Sequence, residues 1–128
     1  GRELECAVLG TDNPFASEVG EILSCNDFYD YDAKYILGTS GLNIPANIPK
    51  EASLEIRETA VKAFKALGCF GLSRVDFFLA DNGKVYLNEL NTMPGFTSIS
   101  MYPKLMENLG IPYGELLDRL IKLAYERN

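Results

Sequence analysis

One stretch constrains this chain more than any other: SRVDFFLADNGKVYLNELNTMPG, Ser73 to Gly95. Two hydrophobic runs flank Asn82-Gly83, and an Asn-Gly pair in that setting is the strongest short-range signal for a β-hairpin with a two-residue type I′ turn. With Asn82 and Gly83 as the loop, Asp81 faces Lys84, Phe78 faces Leu87, Asp76 faces Glu89 and Arg74 faces Asn91. Side chains alternate between the faces of a strand, so Arg74, Asp76, Glu89 and Asn91 share one face. Directly opposed residues have Cβ atoms roughly 4.5–5.5 Å apart, where like charges destabilise the pairing. Arg74 is the one cation of the quartet. Two carboxylates and an amide carbonyl make an oxygen-only donor set suited to a hard cation such as Mg²⁺ or Mn²⁺, so the acids are expected to hold metal. The plainer alternative is a solvated polar face. Leu87 argues against it, because this count puts it beside Glu89 and Asn91, and the face then turns from apolar to ionic away from the turn.

The rest of the chain bounds what such a hairpin can belong to. At 128 residues and 47% hydrophobic, it is one domain with a real core. It has no apolar run long enough for a membrane helix and opens without a signal-peptide pattern. Cys6, Cys25 and Cys69 are odd in number and scattered, which fits reduced thiols in a cytoplasmic protein. With no histidine and no CxxC pair, zinc is a poor fit. A net charge of −6 disfavours nucleic acid as a partner. The chain begins inside a strand signal, ELECAVLG, so a fragment of a longer protein is expected.

Glu3–Leu9 reads as a strand, TDNP as a turn and Ser17–Leu23 as a second short strand. The segment from Asn26 to Pro49 has no clean period; Phe28, Tyr29, Tyr31 and Tyr35 suit an ordered functional loop. Lys50–Leu67 is the first helix, with Ile56, Ala60, Phe64 and Leu67 as its apolar stripe and Gly68 as its stop. Met101–Leu109 is a short helix. Tyr113–Arg127 is the last, with Leu117, Leu120, Ile121 and Ala124 buried and an Asp118–Lys122 ion pair. The class is α+β: an antiparallel sheet covered by helices.

With FYDYDAKY, RVDFFL, YLNELNTMPGFTSISMYPKL and YGELLDRLIKLA in place, the chain resembles the ATP-grasp superfamily, and within it the D-alanine–D-alanine ligase family, over essentially its whole length. The resemblance implies the C-terminal ATP-grasp domain alone, residues 1–128, without the N-terminal and central domains, and a homodimer when full length. It implies nucleotide contacts from Glu3, Lys34, Asn88 and Glu89. Asp76, Glu89 and Asn91 become the ligands of two Mg²⁺ ions, for which Mn²⁺ can substitute. Arg74 binds the transferring phosphoryl group and the developing oxyanion, Gly95 offers a backbone N–H to a tetrahedral intermediate, and Tyr35 sits in the loop over the D-alanine site. Ser100 and Met101 hold the carboxylate of the second D-alanine, a role that agrees with a helix N-terminus there.

The implied reaction forms D-alanyl-D-alanine for peptidoglycan precursors. The carboxylate of one D-alanine attacks the γ-phosphorus of ATP, and the amine of a second then displaces phosphate from the acyl phosphate. Tyr35 and Met101 keep the D-alanine pattern rather than that of D-serine or D-lactate variants. Outside this reading stand a nucleotide- or metal-binding module without catalysis and a purely structural α+β domain.

Overall fold

The computed structural model of the protein describes residues 1–23, 41–96 and 100–126. In chain order these form β1 (Arg2–Gly10), β2 (Phe15–Ala16), β3 (Gly20–Ile22), β4 (Leu42–Asn43), α1 (Lys50–Ala66), β5 (Gly71–Leu79), β6 (Val85–Asn91), α2 (Met101–Asn108) and α3 (Tyr113–Glu126). The sheet runs β4-β3-β1-β5-β6, antiparallel throughout, with β2 also paired to β1. The α+β class expected from the sequence holds. Two strands exceed the expectation: β2, and β4 inside the segment read as loop. The second strand is also shorter than Ser17–Leu23, because Ser17 interrupts it. The Ser17 hydroxyl accepts the Ala7 N–H at 3.0 Å and donates to the Glu18 carbonyl at 2.7 Å. It bridges the gap between β2 and β3.

Each face of the sheet buries its own core. On one, Leu4, Cys6 and Val8 of β1 and Val75, Phe77 and Leu79 of β5 meet Ile56, Ala60 and Phe64 of α1. On the other, Ala7 and Leu9 of β1, with Leu72, meet Met101, Tyr102, Leu105 and Met106 of α2 and Leu116 of α3. The period of two along β1 and β5 assigns alternate residues to opposite layers.

The helices begin and end close to their expected bounds, but two stripes shift. Leu67 caps α1 and is 68% exposed, because the helix stops there and Gly68, at φ +66°, turns the chain away. In α3 the buried line is Leu116, Leu120 and Leu123; Leu117 and Ile121 point outward. The helix rests on the sheet one position earlier than its sequence pattern suggests. Its ion pair is Glu115–Arg119 at 2.8 Å rather than Asp118–Lys122. Cys6 and Cys69 are free thiols, and burial pushes Cys6 up to about 12; Cys25 lies outside the described residues. Among those residues no helix is long and apolar enough to cross a membrane.

Tyr102 ties the second core to the sheet. Its ring is fully buried and its hydroxyl donates to the Val8 carbonyl at 2.8 Å. Removing a buried donor leaves its acceptor short of a partner, at a cost of about 1–3 kcal/mol. Tyr102→Phe is expected to lower the unfolding free energy by that amount, read as a lower urea midpoint with an unchanged denaturant slope.

Candidate functional site

The hairpin of β5 and β6 brings the sequence quartet together, by a different route from the one expected. Its tip is not a two-residue loop. The Gly83 N–H bonds to the Ala80 carbonyl at 2.9 Å, the Ala80 N–H bonds to the Lys84 carbonyl at 2.9 Å, and Asn82 Oδ1 accepts the Lys84 N–H at 3.0 Å. This is a tight turn followed by Gly83 at φ +85°, a conformation that suits glycine. Ala80, not Asp81, therefore faces Lys84, and Phe78 pairs with Tyr86 rather than Leu87. A β-bulge then restores the count. Phe77 pairs with Leu87 and Asp76 with Glu89, leaving Asn88 as the extra residue. Beyond it Asp76↔Glu89 and Arg74↔Asn91 stand as expected. Two offsets of one residue cancel.

The bulge also moves Leu87. Paired with Phe77, it lies on the face of the α1 core and not beside Glu89. The gradient along the site face differs accordingly: Phe78 and Tyr86 stand toward the tip, the ionic groups in the middle, and Leu72 and Leu9 at the far end, next to α2 and α3.

β1 completes this face. Its register sets Glu3 against Phe78, Glu5 against Asp76 and Ala7 against Arg74. Three carboxylates, those of Glu5, Asp76 and Glu89, thus act on one guanidinium, and Glu3 stands further along the same face. Arg74 binds Asp76 with a two-point fork, Nε to Oδ1 at 2.9 Å and Nη2 to Oδ2 at 3.0 Å. Its Nε also lies 3.3 Å from Glu5 Oε1. The hydrogen bond to Asp76 raises Arg74 further above its usual value, so it stays charged. Glu5, only 5% exposed, is pushed up to about 7, first by burial and then by Asp76, with Arg74 opposing. Its Oε1 has no hydrogen-bond partner among the described residues. Glu5 is the site residue that the sequence reading missed. The spacing Glu3-x-Glu5 in a strand was the available signal, since it puts two acids on one face.

A cavity of about 140 Å³ opens at this place, lined by Glu3, Glu5, Asp76, Asn88 and the Phe77–Phe78 segment. Glu3, Asn88 and Glu89 are exposed around it, and Asp76 and Asn91 are half-buried. Asn91 Oδ1 accepts the Met93 N–H at 2.9 Å, which turns the chain out of β6 and leaves that oxygen a second lone pair. Among the described residues no three of Asp, Glu, Cys and His converge as a metal-binding group. A cation here would rely on Asp76, Glu89 and the Asn91 carbonyl. That donor set is all oxygen and lies in a field with more acids than bases, which fits Mg²⁺. A larger groove of about 580 Å³ lies on the opposite layer, between α1 and β2. Phe15, Leu54 and Val61 and the stems of basic side chains line it, and it lacks the paired acids.

Gly95, Ser100 and Met101 form a second group. Phe96 anchors the segment after β6 by packing on Tyr102 and Tyr113, with centroids 5.9 and 5.6 Å apart. A Cβ on Gly95 would meet Ser100 Oγ at 3.3 Å, so the exposed Gly95 backbone lies against the start of α2. Ser100 is the N-cap of α2 in extended conformation. The Met101 side chain is buried in the second core; what the helix start presents outward is its backbone N–H groups. Lys34 and Tyr35 lie outside the described residues.

The family model for the C-terminus of D-Ala–D-Ala ligases matches residues 1–122. The chain belongs to this family. The D-alanine–D-alanine ligase of Acetivibrio thermocellus is 64% identical over 99% of the chain, and that of Geobacillus thermodenitrificans 55% over all of it. The chain spans only 34% and 35% of those two ligases, about a third of their length. Among solved structures, the D-alanine–D-alanine ligase of Coxiella burnetii matches with a TM-score of 0.83 at 43% identity, covering 99% of this chain and 32% of that one. The VanG D-Ala:D-Ser ligase of Enterococcus faecalis matches at 0.80 and 47% identity, covering 96% of this chain and 36% of that one. As a C-terminal piece of the ligase family, the chain has the fold of an ATP-grasp member.

The raised value of Glu5 links protons to folding. An acid whose value is higher folded than unfolded favours the fold at low pH and loses that contribution as pH rises through the folded value. The melting temperature of this ligase domain is therefore expected to fall between about pH 4.5 and about pH 7. Glu5→Gln should flatten that slope. Calorimetric scans at stepped pH test both statements.

Proposed function

We propose that this chain is the C-terminal ATP-grasp domain of an ATP-dependent D-alanine–D-alanine ligase that makes D-alanyl-D-alanine for peptidoglycan precursors. In this reading the remaining two-thirds of the enzyme supply its N-terminal and central domains, and the whole works in the cytoplasm as a homodimer. The observation that carries it is Arg74. Asp76 holds the guanidinium by Nε and Nη2, while Nη1 makes no hydrogen bond among the described residues. A fixed cation with one edge uncommitted, on a face otherwise made of acids, suits charge building up on a transferring phosphoryl group.

In the reaction, Glu3, Asn88 and Glu89 bind the nucleotide around the cavity, joined by Lys34. Asp76, Glu89 and the Asn91 carbonyl hold two Mg²⁺ ions, with Mn²⁺ as a substitute. Bound there, the ions neutralise the phosphates and make the γ-phosphorus open to attack. Arg74 stabilises the phosphoryl group as the carboxylate of the first D-alanine takes it. The backbone N–H of Gly95 then faces the oxyanion formed when the second amine attacks the acyl phosphate. Ser100 and the first N–H groups of α2 receive the second D-alanine's carboxylate, and Tyr35 closes over the site. Most of the work is positioning and electrostatics.

D-alanine is proposed as the acceptor on Tyr35 and Met101. A D-Ala:D-Ser ligase matches this domain at 47% identity, so the products formed from mixed D-alanine, D-serine and D-lactate decide between them. The deciding experiment for the reaction is phosphate release by the full-length enzyme, which should require both ATP and D-alanine.

Two substitutions in that enzyme separate the roles. Arg74→Ala should lower kcat by about 10²–10³-fold, the loss seen on removing one donor to developing charge, and change the KM for D-alanine far less. Glu89→Gln should abolish most Mg²⁺–ATP binding, read by titration calorimetry, and leave the metal-free protein as stable or slightly more so, since one of two opposed carboxylates is gone.

A further inference from the structure

Glu5 has no part in the reaction as proposed, yet it is the most buried acid among the described residues. It sits on the central strand of the sheet, with Gly20 of β3 on one side and Asp76 of β5 on the other. Buried carboxylates are normally hydrogen-bonded, and leaving one short of partners is costly. Among the described residues Glu5 Oε1 has no hydrogen bond, and Arg74 Nε lies 3.3 Å from it. A position that lowers stability in this way is where a functional demand is expected to outweigh the fold's own.

That demand follows from the second task of Asp76. Two carboxylates share one guanidinium: Asp76 through its fork, Glu5 against the same Nε. If Asp76 also serves a cation, part of its charge is drawn away from Arg74. The arginine then keeps its orientation only if another anion holds the Nε edge. We propose that Glu5 is a positioning residue for Arg74. It anchors the guanidinium from within the sheet and leaves the Nη1 edge for the phosphoryl group while Asp76 serves the metal. Glu5 lines the inner wall of the cavity, and in this role it acts through Arg74 rather than on substrate or metal. The inference rests on the ligase reading above.

The test uses the full-length enzyme with Glu5→Gln, which keeps the shape and removes the charge, and Glu5→Asp, which keeps the charge on a shorter stem. It measures kcat, the KM values for ATP and D-alanine, and the melting temperature of metal- and nucleotide-free protein. Glu5→Gln should lower kcat by about 10–100-fold, as the loss of an outer partner of a reactive group commonly does. The KM values should change little and the melting temperature should hold or rise, with part of kcat restored in Glu5→Asp. An unchanged kcat in Glu5→Gln overturns the proposal. So does a loss of kcat that comes with a lower melting temperature and no recovery in Glu5→Asp, because that marks a structural residue. A wild-type enzyme without ligase activity overturns the functional reading and this inference together; an active wild type with an indifferent Glu5→Gln overturns the inference alone.

Discussion

The pairing of β1 with β5 is the constraint on which everything else depends. Nine successive pairs, from Arg2↔Leu79 to Gly10↔Gly71, fix which residues of the two strands share a face. The same register buries Leu4, Cys6 and Val8 with Val75, Phe77 and Leu79 under α1, and brings Glu5 beside Asp76 on the other side. A slip of one residue would exchange the faces, moving acids into hydrocarbon and leucines into water. The apolar cores thus specify where the charges stand. Because each face packs against its own helices, the register is enforced from both sides.

On the site face the electrostatics follow from depth. Glu3 and Glu89 are exposed and well solvated, whereas Glu5 and the Arg74–Asp76 pair lie deeper. Charge interactions grow as water is excluded, so the inner three groups couple strongly and the outer acids tune them. The ends of the face are apolar. Leu72 and Leu9 pack near α2 and α3, and Phe78 and Tyr86 flank the other side. At that outer end Lys84 Nζ stands over the Tyr86 ring, 5.4 Å from its centroid, beyond the aromatic pair that separates the tip from the acids.

Much of this was legible in the sequence, for reasons that differ from element to element. Ile56, Ala60 and Phe64 mark α1 because apolar residues four apart line up on a helix, whereas a strand would put the charged residues midway between them, Glu58 and Lys62, on the same buried face. Leu67 continues that stripe on the helical wheel but falls past the last turn, where periodicity carries no information. In α3 nearly every third or fourth residue is apolar, so the pattern permits two neighbouring stripes and only packing on the sheet selects Leu116, Leu120 and Leu123. The two-residue strands β2 and β4 are too short to show any period. Asp76↔Glu89 emerged from a hairpin count that was wrong at both the turn and the bulge; the strands' alternation was sound, while the local backbone geometry was not visible. Glu5 was missed because an acid in an alternating strand looks solvent-facing until the strand on its other side is known. The roles of individual residues came from the family resemblance, and Lys34 and Tyr35 lie where the structure describes nothing.

The bulge at Asn88 has a consequence for how this hairpin can change over generations. It absorbs a phase difference of one residue between the tip and the base. Tip length and site geometry are therefore separate variables. A turn one residue shorter, with the two-residue Asn-Gly loop that the sequence first suggests, would need no bulge to keep Asp76 opposite Glu89. A longer one needs the bulge it has. Insertions and deletions at the exposed end can be reconciled inside the hairpin before they reach the acids, so the outer part of the strand pair is free to drift in sequence while its inner part stays in register.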